Sequence, residues 1–112
     1  MTVADIFNEG KEEGQLTLSR IASAFSEKPA EILGIKERGS LKVGNYADLV
    51  VIDPVREYSV KDIAYKCGWS TYEGQTLKGM IDRVFLNGEL VVADGSLIQG
   101  SPSGQPIAFH DL

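Results

Sequence analysis

The chain has 112 residues, 11 Lys+Arg against 16 Asp+Glu for a formal net charge of −5, one Cys and one His. A single Cys excludes an internal disulfide framework, and one His with one Cys cannot supply a zinc finger or a binuclear zinc centre. An acidic chain with scattered cations is a poor fit to nucleic acid, whose phosphates call for clustered Lys and Arg.

The longest aliphatic run, Leu49-Val50-Val51-Ile52, is far short of the roughly 20 residues of a membrane span. Met1 to Gly10 contain Asp5 and Glu9 and no apolar stretch, unlike a signal peptide. Both features predict a cytoplasmic protein. At 43% hydrophobic residues the chain can build a core. A chain of this size buries only about 65% of its extended surface.

In chain order, Val3, Ile6 and Phe7 fall on one helical face. Asn8-Glu9-Gly10 and Lys11-Glu12-Glu13-Gly14 read as a C-cap and a solvated loop. A helix so short needs a neighbour to pack on. Thr17 is a good N-cap, and Leu18, Ile21, Ala22 and Phe25 predict a helix over about residues 18–25. Ser26 is a second cap, and Pro29 suits the first turn of a new helix stopped by Gly34.

The period changes at Gly39. Gly39 to Asn45 reads as a short strand ending in a turn, and Ala47 to Asp53 as a buried strand stopped by Pro54. Tyr58 and Val60 suggest another short strand. Cys67 to Gly74 is a loop with two aromatics. Asn87-Gly88 is a two-residue turn favouring φ > 0, between Ile81–Leu86 and Glu89–Val92. Asp94-Gly95 ends the second strand, and the Gly/Pro/Ser-rich stretch that follows reads as a tail. Helices first and strands after make an α+β arrangement. Its expected organisation is a helical segment 1–36, strands 37–98 and a flexible tail 99–112.

No residue pattern here makes a self-sufficient active site. His110 could act as a base near neutrality, but it sits at the end of the expected tail. Cys67 reads as a small, partly buried thiol, because reactivity needs an electropositive setting. Asp48 reads as a turn cap before the strand, and Asp53 as a turn residue before Pro54. Glu12-Glu13, Glu37-Arg38-Gly39 and Lys61-Asp62 read as surface charge. Gly34 to Ser40 lacks the Lys and the preceding strand of a phosphate loop. Trp69 and Tyr72 read as cover for a small core or an interface. The expectation is no catalytic, cofactor-binding or metal-binding residue in the chain.

Ser26-Glu27-Lys28-Pro29-Ala30-Glu31-Ile32-Leu33-Gly34-Ile35 resembles the NPA-x-x-L/F-G-L segment near the end of the metal-dependent amidohydrolases. Gly39 to Asp53 resembles their G-x-I-x-x-G-x-x-A-D-L-V-V-x-D signature. Lys66 to Gly74, Leu77-Lys78-Gly79 and Val84 to Val91 are similar to the dihydroorotase and allantoinase branch. Cys67-Gly68-Trp69-Ser70 is most similar to bacterial dihydroorotases. Asn8-Glu9-Gly10-Lys11 resembles that branch's N-x-G-K. Lys28 stands where Asn is usual, and Thr71 where Pro is common.

The resemblance covers about residues 6–95. It implies a parent with a (β/α)8 barrel and a small β-sandwich made from both chain ends. The implied metal ligands are an H-x-H pair, often a carboxylated Lys, two further His and an Asp that activates a bridging hydroxide. None of these positions falls in this segment, so zinc is expected in the parent and not here. The expected role is that of a C-terminal fragment of a dihydroorotase-like cyclic amidohydrolase, structural and itself inactive. The parent would reversibly hydrolyse dihydroorotate to N-carbamoyl-aspartate in pyrimidine synthesis. An allantoinase or hydantoinase parent, or a stand-alone interaction module, are the alternatives. The expected partners are the missing barrel and, through Val3/Ile6/Phe7 and Leu18/Ile21/Phe25, other copies of the chain.

Overall fold

The structure is a computed structural model and describes residues 17–61, 66–98, 100 and 104–110. The expected helix at Val3–Phe7 and the Asn8-Glu9-Gly10-Lys11 motif lie outside the described residues, as does Asp62.

Helix α1 (Leu18–Ala22) begins where the cap predicts: the Thr17 hydroxyl oxygen accepts from the Arg20 amide at 3.2 Å. The helix does not break at Ser26. A π-helical turn, Ser23–Glu27, leads directly into α2 (Lys28–Ile32). Pro29 explains the widened turn. It has no N–H, and its ring would clash with the carbonyl four residues back in a regular helix. The π turn absorbs that conflict, with the Lys28 N–H donating to the Ser23 carbonyl.

Gly34 ends the helix as expected. Its φ is +64°. Its N–H donates to the Glu31 carbonyl at 3.2 Å and the Ile35 N–H to the Ala30 carbonyl at 2.8 Å, which is the Schellman pattern.

Residues 39–45 form no strand, contrary to the sequence reading. The segment is held by local bonds: the Asn45 side-chain amide donates to the Ser40 carbonyl at 2.8 Å, and the Asn45 N–H to the Lys42 carbonyl at 3.1 Å. Leu41 and Val43 stand in the open, so the apolar alternation that suggested a strand has nothing to pair with.

Four strands follow in a meander of order β1-β2-β3-β4: β1 (Leu49–Ser59), β2 (Thr76–Leu86), β3 (Glu89–Ala93) and β4 (Ser96–Leu97). Each neighbouring pair is antiparallel. Pro54 does not stop β1. Asp53 pairs with Met80 and Glu57 with Lys78, so Pro54, Val55 and Arg56 oppose the single Gly79. This bulge on an edge strand removes the need for the missing proline N–H. Asp53 Oδ1 secures it by accepting from the amides of Val55 (3.0 Å) and Arg56 (3.2 Å). Tyr58 therefore belongs to β1, and Val60 extends its pairing through a 2.9 Å bond from its N–H to the Gln75 carbonyl.

The Asn87-Gly88 hairpin is as predicted, with φ of +50° and +82°. Asp94-Gly95 repeats the same geometry, at +52° and +71°. It turns the chain into β4, which is too short to leave a periodic signal.

Residues 104–110, part of the expected tail, lie against the loop after α2. Ile35 and Phe109 form an antiparallel bridge. The Lys36 N–H donates to the Ala108 carbonyl at 2.8 Å and the His110 N–H to the Gly34 carbonyl at 2.7 Å.

The chain is thus α+β, but its apolar surface is poorly covered. Among the described residues only Ile21 and Ala30 are buried hydrophobics. Val50 and Val51 of the supposedly buried strand are 56% and 43% exposed. Among the described elements, no part of the helical segment 18–32 comes close to a strand.

Candidate functional site: the Arg38 junction

Among the described residues, side chains from distant parts of the sequence converge at Arg38. The sequence reading treats it as surface charge. Instead its side chain is 15% exposed and forms an ion pair with Asp48. The separation of ten residues gives no periodic hint of this pairing. The guanidinium lies over the Tyr46 ring, 4.2 Å from its centroid, a geometry in which the ring's negative face attracts the cation. Nη2 donates to the Gln105 carbonyl at 3.2 Å. Nε is buried and has no hydrogen-bond partner among the described residues.

Asp48 has a second task. Its Oδ1 accepts from the Asn87 N–H at 2.7 Å. It caps the β2–β3 hairpin, not the turn before its own strand as the sequence suggested. Arg38 and Asp48 thus tie the loop after α2, the start of β1, the hairpin turn and the C-terminal segment together.

Beside this junction lies a shallow cleft of about 460 Å³. Glu27, Lys28 and Glu31 form its helical side, and Arg38, Ser40, Lys42 and His110 its loop side. Lys28 and Glu31 pair across one helical turn at 2.6 Å. That contact raises the Lys28 pKa and lowers that of Glu31, through the hydrogen bond first and the opposite charge second. His110 is exposed, and what secures its position is its backbone bond to Gly34. The cleft offers charge but no nucleophile poised on a base.

The other singled-out residues do not join this junction. Cys67 is exposed, not partly buried, and its Sγ lies 3.5 Å from the Trp69 carbonyl. Trp69 is 60% exposed, so it covers no core. Asp53 serves the β1 bulge. Among the described residues, no three His, Cys, Asp or Glu side chains come together to hold a metal ion. The zinc implied by the amidohydrolase resemblance therefore does not fit these residues, and no hydrolytic step is assigned to them. No helix among the described residues is long and apolar enough to cross a membrane.

A second charged cluster fastens the sheet. Arg56, in the β1 bulge, pairs with Asp94 in the β3–β4 turn and lies 3.7 Å from Asp82 on β2. The hydrogen bond and charge of Arg56 hold the Asp94 carboxyl below its usual value of 3.8. A carboxyl with a depressed folded-state pKa stabilises above its unfolded value, and that stability disappears as pH falls through the folded one. The expected result is a small loss of stability below about pH 4 that Asp94→Asn removes. Urea titrations of both proteins between pH 2 and 7 check it. The pair is exposed, so 1 M salt should also suppress the difference.

The Amidohydrolase family model matches residues 1–91. The chain belongs to the amidohydrolase family. It is 36% identical over 97 residues to a dihydroorotase of Pyrococcus horikoshii, covering 85% of this chain and 23% of that protein. It is 31% identical over 100 residues to a D-hydantoinase of Rhizobium radiobacter, covering 87% and 22%. The fold superposes on a D-hydantoinase (dihydropyrimidinase) from a Thermus species with a TM-score of 0.77 at 27% identity, covering 92% of this chain and 23% of that one.

This amidohydrolase segment thus spans under a quarter of the length of these curated relatives. The sequence signature Gly39–Asp53 now has a physical content. Gly39 lets the loop approach α2, Asn45 closes it, and Asp48 joins Arg38 to the hairpin.

Proposed function

We propose that the chain is a C-terminal lobe of a dihydroorotase-like cyclic amidohydrolase. Its work is structural: strands β1–β4 close a small sandwich, and the helical segment 18–32 buttresses a barrel supplied by the rest of the parent. The barrel carries the zinc and the chemistry, the reversible opening of a cyclic amide such as dihydroorotate. The lobe alone is inactive. The observation that carries this reading is the uncovered apolar surface of the described residues, among which only Ile21 and Ala30 are buried hydrophobics. Much of it is aliphatic: Ile32, Leu41, Val43 and Val55 are each at least 69% exposed. Surface of this kind belongs against another part of a protein.

A hydantoinase parent is the second reading. It is favoured by the Rhizobium radiobacter relative and by the Thermus fold match.

The test is an assay of the purified 112-residue chain, with added zinc, on dihydroorotate, hydantoin and allantoin. No turnover is expected on any of them. Metal-dependent hydrolysis by the chain alone would overturn the structural reading. The same substrates given to the full-length parent separate the dihydroorotase from the hydantoinase.

A further inference from the structure

We infer that residues 104–110 form a C-terminal strap whose docking is latched by the Arg38–Asp48 pair, although Asp48 does not itself touch the strap. The family match ends at residue 91, so the strap lies outside it.

The strap has little else to hold it. All seven of its residues are exposed. It is fastened to the body by the two backbone bonds that make the Ile35–Phe109 bridge, Lys36 N–H to the Ala108 carbonyl and His110 N–H to the Gly34 carbonyl, and by the bond from Arg38 to the Gln105 carbonyl. A segment with few buried apolar contacts sits at the low end of local stability. A single charge-assisted bond then carries a large share of its docking.

Arg38 can make that bond only while its position is fixed. Asp48 supplies the counter-charge on one arm of the guanidinium and Tyr46 the floor beneath it. Without the Asp48 charge, a largely buried cation is left uncompensated. The guanidinium then moves toward water and withdraws its other arm from Gln105. Asp48 also holds the Asn87 amide, so the strap, the loop after α2 and the hairpin turn share one electrostatic joint.

Asp48→Asn separates the two roles of Asp48, since it keeps an acceptor for the Asn87 N–H and removes the charge. Arg38→Lys keeps a charge beside Asp48 and loses the second arm. Amide hydrogen exchange of the full 112-residue chain, read residue by residue, tests the latch. In both variants the Lys36 and His110 amides, which bond to and from the strap, should exchange about tenfold faster. The Val60 amide in the β1–β2 ladder should keep its rate. Unchanged Lys36 and His110 rates in both variants would overturn the latch. Equal acceleration at Val60 would overturn it too, because the loss would then be global.

Discussion

Gly39→Ala lowers the unfolding free energy by about 2–4 kcal/mol. Two independent effects add at this position. The backbone φ is +89°, a region costly for any residue with a Cβ. A Cβ there would also collide with the Ala30 Cβ and lie 3.0 Å from the Ser26 carbonyl oxygen. Ala30 is one of the two buried hydrophobics, and Ser26 sits in the π turn, so neither neighbour can give way cheaply. Gly44 is the control. Its φ is +96°, but nothing lies within 4 Å of its added Cβ. Gly44→Ala therefore carries the backbone cost alone, about 1 kcal/mol. Urea unfolding followed by circular dichroism distinguishes the two. Equal losses would show that the close approach of the loop to α2 contributes nothing.

The second large effect concerns association. In isolation the chain should sediment above the 12.2 kDa of its monomer at high protein concentration, because exposed apolar patches find partners. Its helical contribution differs from the sequence expectation. Ile21 is 5% exposed and takes no part, whereas Leu18 and Phe25 are each 51% exposed. A double change, Leu18→Lys with Phe25→Lys, should shift the sedimentation profile toward the monomer while leaving the helical signal of the chain in place. A strictly monomeric unsubstituted 112-residue chain, or a double variant that associates as strongly as that chain, would contradict this.

The helical punctuation was legible from sequence because each signal is local. Thr17 and Gly34 act within one turn of their own positions. The Asn87-Gly88 hairpin was legible for the same reason. The π turn was not, because Pro29 signals a conflict without saying whether the helix breaks or widens. The run of β1 through Pro54 was hidden because a bulge is a property of two strands, and Gly79 on the partner strand is 25 residues away in sequence. Residues 39–45 misled because Leu41 and Val43 alternate like a strand yet face no partner among the described residues. Arg38 carries the weakest local signal of its role. A lone Glu-Arg-Gly triplet looks solvated, and only the fold brings Asp48, Tyr46 and Gln105 around it.

The apolar exposure of Val50, Val51 and the loop aliphatics has the opposite origin. Their sequence pattern is that of buried strands, and on the structural role proposed above the burial would come from the rest of the parent. The size of the native polypeptide in its own cells tests this account most directly, using an antibody raised against the 112-residue chain. The account predicts a band several times larger than 12.2 kDa, the lobe joined to its barrel. A band near 12.2 kDa with nothing larger would contradict it, and would mean that the cell makes this lobe alone.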